Sequence, residues 1–404
     1  MTRALWVTGE VPGPDLGGGS IRQAHLLSAL AQRVETQAVV VGRIEDPQLR
    51  SVLAGVVELS PVPLLQPKGR ARRRLLDVWH GAFAAAPRDV RATVGARRAL
   101  TGAVGEVADD YDVVCVEHGW LAPLLPARRR THWALTFHHV PSVELAQAAA
   151  LAHRARLRWL WERERRKAVA HERWAVTAYD TVIAVSAEDA RVLGPGVAVV
   201  PNGVDIQRFS QMPLPSEPRL VFSGTLDYGP NVDGVLWFCR DVLPRLRRLV
   251  PEVTLDVVGR RPVAEVRGLG AQPGIAVHAD VPSVIPYLEA ARAAVVPLRL
   301  GSGSRLKALE AMAAGRPVVG TAVGLGGLAY EAGRHALVAD DGDAMARALM
   351  AVCTDAAVAH RLAREGRALV EQRYDWTRIG GDFTSLLLER TSGRGRHRRR
   401  AGGG

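Results

Sequence analysis

Short apolar runs alternate with amphipathic stretches along almost all of the 404 residues. Uninterrupted apolar runs are typical of strands buried in a parallel sheet, and the stretches between them place apolar residues at helical spacing. This alternation predicts an α/β protein in which helices cover parallel sheets. The predicted strands are residues 5–8, 37–41, 113–117, 133–137 and 181–185 in the first half, and 220–223, 254–258, 275–278, 294–296 and 318–319 in the second.

The alternation occurs in two successive runs, and the chain is long enough for two separate cores. Two Rossmann-like domains are therefore predicted, with a seam near residue 195, where Pro195 and Pro201 precede the polar segment 212–219. The segment after the second domain is amphipathic as far as residue 391, and the tail beyond it lacks the apolar residues that would anchor it. The predicted parts are domains 1–195 and 196–375, a terminal helix 376–391 and a disordered basic tail 392–404.

One segment of the second half combines a glycine loop with the start of a helix. The loop follows the strand that ends at Val296, and apolar residues continue at helical spacing after it. Unpaired amides and the positive end of the helix dipole favour a phosphate at such a place, and Arg305 and Lys307 add positive charge. Glu310 is placed to accept hydrogen bonds from the hydroxyls of a ribose or a sugar. The loop residues are Gly301, Ser302, Gly303 and Ser304.

This segment resembles the donor-nucleotide motif of the retaining GT-B glycosyltransferases of family 4. Other matching segments follow in the family's order, at residues 17–22, 138–142, 185–189, 201–205, 222–225, 229–234 and 257–259. The resemblance implies the GT-B fold, with two Rossmann-like domains whose parallel sheets face an interdomain cleft and a terminal helix that crosses back to the first domain. It also implies transfer of a sugar from a nucleoside diphosphate to an acceptor hydroxyl, with retention at the anomeric carbon.

The resemblance also assigns roles to single residues. Arg305 and Lys307 match the basic pair that stabilises the leaving diphosphate, and His138 matches the histidine that contacts the donor sugar. Glu310 matches the second glutamate of the two-glutamate signature, which binds the donor ribose. Ser302 replaces the first glutamate, as in a subgroup with the same Gly-Ser-Gly-Ser-Arg-Leu-Lys loop, and this replacement leaves the donor sugar open.

Two further glycine-containing segments are predicted to line the site. Gly17, Gly18 and Gly19 form a loop before a helix predicted at residues 21–32, where Arg22 could contact either the diphosphate or the acceptor. Gly224 and Thr225 end the first strand of the second domain, where the family usually carries an arginine and a lysine that this chain lacks. Asn231 is predicted to cap the next helix, and a donor contact is the alternative.

The positive charge of the chain suggests a surface partner. The net charge is +12, and basic runs lie at residues 68–74, 128–130, 154–167 and 394–400. The segment 153–167 interleaves leucine and tryptophan with arginine, which is typical of a helix that rests on anionic lipid. The alternative is a solvated helix with its tryptophans in the core. Nucleic-acid binding is not expected, because no recognised binding motif accompanies the charge.

No apolar stretch approaches the ~20 residues of a membrane-spanning helix, so a cytoplasmic protein, peripheral at the inner face of the membrane, is expected. The two Asp-x-Asp matches, at residues 110–112 and 341–343, are interpreted as local turns and caps. Neither metal nor cofactor is expected beyond the nucleotide-sugar donor.

The predicted function is therefore a metal-independent hexosyltransferase of envelope, polysaccharide or glycolipid biosynthesis. Its acceptor ranges from a lipid-linked glycan to a small metabolite. Two alternatives are a membrane-associated protein that binds a nucleotide sugar without catalysis, and a GT-B nucleotide-sugar epimerase.

Overall fold

The computed structural model describes residues 2–13, 17–59, 94–105, 107–124, 130–209, 212–303 and 305–401. The predicted loop residue Ser304, the basic run 68–74, most of the run 128–130 and the last three residues of the tail lie outside the described residues. No helix in the described ranges is long and apolar enough to cross a membrane.

The chain divides into two compact units, which are residues Met1–Val200 with Ile379–Gly404, and residues Pro201–Arg378. The division lies a few residues after the predicted seam at 195. The reason is the two-residue strand Ala198–Val199, which pairs with the strand Thr181–Ala184 of the first unit. A strand this short carries no periodicity, so the sequence assigned it to the second half.

In the first unit, the described residues form a seven-stranded parallel sheet in the order β3-β2-β1-β4-β5-β6-β7. The side chains of its three central strands are almost completely buried, as expected for apolar runs with helices on both faces. The strands are β1 Arg3–Thr8, β2 Glu35–Val41, β3 Gly55–Leu59, β4 Val113–Glu117, β5 His132–Phe137, β6 Thr181–Ala184 and β7 Ala198–Val199. The helices are α1 Gly18–Ala31, α2 Pro47–Val52, α3 Val94–Gly105, α4 Pro141–Leu151, α5 Ala155–Ala178 and α6 Ala187–Leu193.

In the second unit, the described residues form a six-stranded parallel sheet in the order β10-β9-β8-β11-β12-β13. Its strands are β8 Arg219–Ser223, β9 Thr254–Gly259, β10 Ile275–Ala279, β11 Ala293–Val296, β12 Val318–Gly320 and β13 Leu337–Val338. The helices are α7 Gly229–Trp237, α8 Leu243–Leu249, α9 Ala264–Arg267, α10 Ile285–Ala290, α11 Leu306–Ala313, α12 Gly342–Thr354 and α13 Ala356–Arg373. The apolar runs of the sequence thus predicted ten of the thirteen strands in the described residues, all but β3, β7 and β13, and the α/β fold class is confirmed.

Two helices differ from the prediction in length. Helix α1 begins at Gly18 and not at Ile21, so Gly18 and Gly19 lie in its first turn and Gly17 is its N-cap. The last helix, α14, covers Trp376–Ala401, although the sequence predicted an end near residue 391 and disorder at residues 392–404. Arginine is a good helix former, and arginines fill much of this extension.

Candidate functional site

The glycine loop of the second unit joins β11 to α11 through two residues in the left-handed region. The φ angles are 129° at Gly301 and 77° at Gly303, and this region favours glycine. Helix α11 follows, with Arg305 as its N-cap residue. The loop and the helix start therefore lie in the predicted order, at the carboxyl end of a central strand. This is the edge of an open α/β sheet where ligands bind.

Arg305 holds this loop in place. Its Nε donates a hydrogen bond to the carbonyl oxygen of Val323 at 3.2 Å, and one terminal nitrogen donates to the carbonyl oxygen of Ser302. A Cβ atom on Gly301 would lie 2.8 Å from the guanidinium, so the glycine allows the close approach. The arginine thus adds positive charge and also fixes the loop that leads into α11.

Lys307 lies in the first turn of α11, and its ammonium group contacts the uncharged side chains of Asn231 and Phe222. Its Nζ donates a hydrogen bond to Oδ1 of Asn231 at 2.7 Å and lies 4.2 Å from the centre of the Phe222 ring. Burial, with a further contribution from the positive charge of Arg305, lowers the pKa of Lys307 to about 7. A cation whose hydrogen-bond acceptor is an amide and not a carboxylate keeps its charge available for an anionic ligand.

Gly224 completes the surroundings of Lys307. It follows β8 with a φ of 151°, and a Cβ atom there would lie 2.8 Å from Nζ of Lys307 and from Nδ2 of Asn231. The Asn231 amide also donates from Nδ2 to the carbonyl oxygen of Thr225 at 2.8 Å. The predicted residues Gly224, Thr225 and Lys307 are therefore neighbours, joined by an asparagine.

The predicted cap at Asn231 is wrong. The N-cap of α7 is Tyr228, and Asn231 lies inside the first turn of that helix. Its side chain turns instead toward Lys307 and Thr225. An asparagine directly after a glycine-proline pair resembles a cap in sequence, but the contact with Lys307 joins positions 76 residues apart.

Glu310 lies one turn after Lys307 on the same helix. Burial raises its pKa to about 7, although the positive charges of Arg208 and Lys307 oppose this rise. Near neutral pH the Glu310 carboxyl group is therefore protonated in part of the molecules and ionised in the rest. Such a group can donate or accept a hydrogen bond.

In the first unit, His138 follows β5 and lies against Glu117, the last residue of β4. The Nε2 atom of His138 is 2.6 Å from Oε2 of Glu117, whose other oxygen accepts a hydrogen bond from Oγ1 of Thr136 at 2.9 Å. Burial holds the pKa of His138 well below its ordinary value, so the ring is neutral. With Nε2–H directed to Glu117, the Nδ1 atom is the hydrogen-bond acceptor of this histidine.

Arg22 lies beneath this pair. It is completely buried on α1, where burial lowers its pKa to about 10 and the charge of Glu117 opposes that shift. Burial also raises the pKa of the Glu117 carboxyl, and Arg22 opposes that rise. Arg22, for which the sequence left a contact with the diphosphate or the acceptor open, thus lies in the interior, where its charge acts on Glu117.

Sequence reasoning missed two residues beside His138. His118 follows Glu117, its ring stacks on the His138 ring with centroids 4.0 Å apart, and its Nε2 lies 3.2 Å from Oε2 of Glu10. Glu10 lies just after β1. The signal that could have found both is the one used for His138, because each residue follows the carboxyl end of a buried strand. Gly19 lies next to all three, since a Cβ atom there would be 3.2 to 3.4 Å from them.

Metal ligands do not assemble in the part of the chain that the structure describes, where no group of three or more His, Cys, Asp or Glu side chains is suited to a metal ion. The Asp-x-Asp matches have local roles. Asp112 accepts a hydrogen bond from the backbone nitrogen of Arg3 at 2.8 Å, and Asp341 caps α12 through the backbone nitrogen of Ala344.

Solved structures define the class of fold. Sucrose-phosphate synthase from Thermosynechococcus elongatus superposes with a TM-score of 0.68 at 18% identity, over 96% of this chain and 99% of that one. Anabaena HepE in complex with UDP and glucose gives a TM-score of 0.63 at 16% identity, over 96% and 100%. Staphylococcus aureus TarM gives 0.65 at 8% identity, over 97% and 100%. The chain has the GT-B fold.

The match by sequence covers a smaller part of the chain than the structural matches do. Residues 217–355 match the family model described as Glycosyl transferases group 1. This segment contains Gly224, Asn231, Lys307 and Glu310. A comparison with curated proteins gave no match.

Proposed function

We propose that this protein is a metal-independent retaining glycosyltransferase of family 4, which transfers a hexose from a nucleoside diphosphate to an acceptor hydroxyl. The observation that carries the proposal is Lys307, a cation at the start of α11 whose Nζ is held by the neutral amide of Asn231 beside Gly224. The family match over residues 217–355 and the UDP and glucose named for HepE support a nucleotide-sugar donor.

In this proposal the diphosphate binds at the glycine loop of the second unit. The amides at the start of α11 and the charges of Arg305 and Lys307 stabilise the negative charge that develops on the leaving phosphate. The bond between the anomeric carbon and the phosphate oxygen breaks, and a bond to the acceptor oxygen forms on the same face. The proton of the acceptor hydroxyl passes to the leaving phosphate oxygen. Glu310 binds the ribose hydroxyls.

In the first unit, His138 binds a hydroxyl of the donor sugar through Nδ1, because Glu117 occupies Nε2. Arg22 acts through Glu117 and not by contact with substrate. The glycines Gly17, Gly18 and Gly19 keep the start of α1 free of side chains, so that the acceptor can approach the helix backbone.

The experiment compares UDP binding and UDP-glucose turnover in the wild type and in two lysine variants, without added metal and with a chelator present. Lys307→Ala should weaken UDP binding about 10- to 100-fold, the usual contribution of a charged hydrogen bond, and reduce turnover further. Lys167→Ala is the matched control, because this lysine pairs with Glu164 on α5. Retention is read from the anomer of the product.

Three results would contradict the proposal. If neither UDP-glucose nor a sugar of another common nucleotide binds, there is no donor site. If UDP binds and no sugar is ever released or transferred, the protein is a binding protein and not an enzyme. If the sugar is rearranged and not transferred, it is an epimerase.

We further propose that α5 rests on an anionic membrane at its cytoplasmic face, as suits a lipid-linked acceptor in envelope synthesis. Trp159 is 57% exposed, which does not fit a tryptophan packed in the core, and Arg163 lies over its ring at 5.5 Å. Trp159→Ala should reduce co-sedimentation with vesicles that contain phosphatidylglycerol. Trp174→Ala, which changes an exposed tryptophan near the other end of α5, is the control. Equal loss in both variants would contradict a specific contact.

A further inference from the structure

Three neighbouring strands of the first sheet end in a row of ionisable side chains. Strands β1, β4 and β5 are adjacent in the sheet, and Glu10, His118 and His138 each follow the carboxyl end of one of them. His138 is assigned to the donor sugar under the proposed function. Glu10 and His118 have no role in the proposed function and are free to bind another part of the substrate.

The Glu10 carboxylate is accessible. Its side chain is 45% exposed, and its backbone is fixed to Thr8, because Glu10 N–H donates to Oγ1 of Thr8 at 3.1 Å and that hydroxyl donates back to the Glu10 carbonyl at 3.0 Å. Gly19, in the first turn of α1, would bring a Cβ atom to 3.2 Å from Oε2. The glycine therefore leaves the carboxylate uncovered.

The Glu10 carboxylate is ionised near neutral pH. Although burial of part of the side chain opposes it, the positive charge and hydrogen bond of His118 lower the pKa of Glu10 to about 2. The neighbouring ionisable groups on the other elements are His138 and His139 after β5. A fixed, ionised and accessible carboxylate repels phosphate and accepts hydrogen bonds from hydroxyl groups.

Two features of His118 lower the stability of the fold. His118 is 5% exposed, its φ is 83°, and its Nδ1 is buried with no hydrogen-bond partner among the described residues. A non-glycine residue in the left-handed region and an unsatisfied buried nitrogen each destabilise a protein, and such features concentrate at functional sites. What His118 provides in return is its Nε2, which lies 3.2 Å from the Glu10 carboxylate and 3.1 Å from the amide nitrogen of Gln23, and a ring packed between Trp120 and His138.

We propose that Glu10 binds the acceptor hydroxyl, and that His118 is a positioning residue that holds the Glu10 carboxylate in place. The acceptor is accordingly a neutral polyhydroxy group, such as a sugar or polyol, at the position that reacts. The inference rests on the proposed transferase function and specifies its acceptor half. Glu10 accepts the hydrogen bond of the hydroxyl while the acceptor binds. As the new bond to the anomeric carbon forms, that proton passes to the leaving phosphate oxygen, and Glu10 stays ionised.

The first experiment uses water as the smallest acceptor, so that UDP-glucose hydrolysis reports on the site. Glu10→Ala should lower kcat of hydrolysis about 10- to 100-fold and leave the Kd of UDP within about twofold, because the lost hydrogen bond is to a charged group and the donor is held elsewhere. Glu35→Gln is the control, since this glutamate of the same sheet pairs with Arg3 at the surface. Unchanged hydrolysis in Glu10→Ala would overturn the proposal, as would an equal loss of UDP binding.

The second experiment needs no donor. With glutamate labelled at Cδ, the Glu10 resonance should titrate near pH 2 in the wild type and move toward the ordinary value of 4.5 in His118→Phe. Phenylalanine keeps a ring between Trp120 and His138 and removes Nε2. Glycerol, the simplest polyol probe, should shift the Glu10 resonance in the wild type and less in this variant.

The two arms separate the possible failures. If the wild type binds no nucleotide sugar, the proposed function fails, and the glycerol and pH titrations still decide the role of Glu10. If hydrolysis proceeds but His118→Phe leaves both the titration of Glu10 and the rate unchanged, His118 has a structural role only. Absence of any glycerol-dependent shift in the wild type overturns hydroxyl binding.

Discussion

The two units use opposite arrangements of charge at the same edge of a similar sheet. In the second unit, Lys307 hydrogen bonds to a neutral amide, and glycine backbone lies beside it. In the first unit, His118 and His138 each lie against a glutamate, within 3.2 and 2.6 Å. The fold is shared, so the difference lies in the residues that follow each strand.

This difference separates two kinds of ligand. A cation without a bound carboxylate attracts phosphate, whereas an accessible carboxylate such as that of Glu10 repels it and accepts hydrogen bonds from hydroxyl groups. Under the proposed function, the second unit accordingly binds the nucleoside diphosphate, and the first binds uncharged sugar hydroxyls. Matched substitutions in the two units therefore test this difference in charge, and a carboxylate placed beside Lys307 removes it.

The largest expected contrast concerns two buried glutamates. Burial raises the pKa of Glu117 as well, but Glu117→Gln also removes the charge that favours the charged form of the buried Arg22 and replaces the carboxylate oxygen that faces Nε2 of His138. Loss of one member of such a buried network should lower the free energy of unfolding by about 3 kcal/mol or more. Glu310→Gln should have the opposite sign. Because burial raises the pKa of Glu310 to about 7, its ionised form costs stability above that pH.

The sign of the Glu310→Gln effect on stability follows from the pKa of this carboxyl group in the folded and unfolded protein. Between the ordinary value of 4.5 and about 7, the unfolded carboxyl ionises first, so stability falls as pH rises through this range. Glu310→Gln should therefore gain roughly 1 to 3 kcal/mol at pH 8 and little at pH 4.5. Urea unfolding at both pH values measures this. A gain in stability for Glu117→Gln, or none for Glu310→Gln at pH 8, would break the contrast.

The second contrast concerns glycines. At Gly224, with φ at 151° and Lys307 Nζ at 2.8 Å from a built Cβ, alanine should weaken UDP binding about 100-fold through strain and displacement of the lysine. At Gly17, φ is −71° and no atom of the described residues lies within 4 Å of a built Cβ, so alanine should change UDP binding less than about twofold. Calorimetric titration with UDP compares the two variants. Similar losses in both would show that donor affinity does not depend on the space around Lys307.

The sequence predicted the second unit's site better than the first unit's, for a physical reason. Gly301, Gly303, Lys307 and Glu310 are close along one loop and one helix, so helical spacing alone places them together. The pair His118 and His138 depends on β4 and β5 being neighbours, and the pair Glu10 and His118 on β1 and β4 being neighbours. Sheet order is set by packing of the whole domain, which no local pattern contains. Asn231 was assigned to a cap for the same reason, since its partner is distant in sequence.

The smallest expected effect is a pH dependence of donor binding that only the second unit should show. The pKa of Lys307 is about 7 in the free protein, because burial disfavours its charged form. A bound diphosphate favours that form, so binding takes up a proton when the pH is above about 7. UDP affinity should therefore fall with rising pH, by about three- to tenfold between about pH 6 and pH 8. Glu310, which ionises over the same range, reduces the slope because its negative charge favours protonated Lys307.

A control must separate this slope from the titration of UDP itself, whose terminal phosphate also ionises near pH 6. Asn231→Asp keeps the shape of the side chain and places a carboxylate where an amide oxygen now lies, 2.7 Å from Nζ of Lys307. The lysine should then stay protonated throughout the range, so the part of the slope due to Lys307 disappears and the part due to UDP remains. Overall affinity should also drop, because the new carboxylate competes for the lysine and repels the diphosphate. Parallel pH profiles for the wild type and Asn231→Asp would mean that Lys307 is already charged in the free protein, and that the neutral amide is not what distinguishes the second unit from the first.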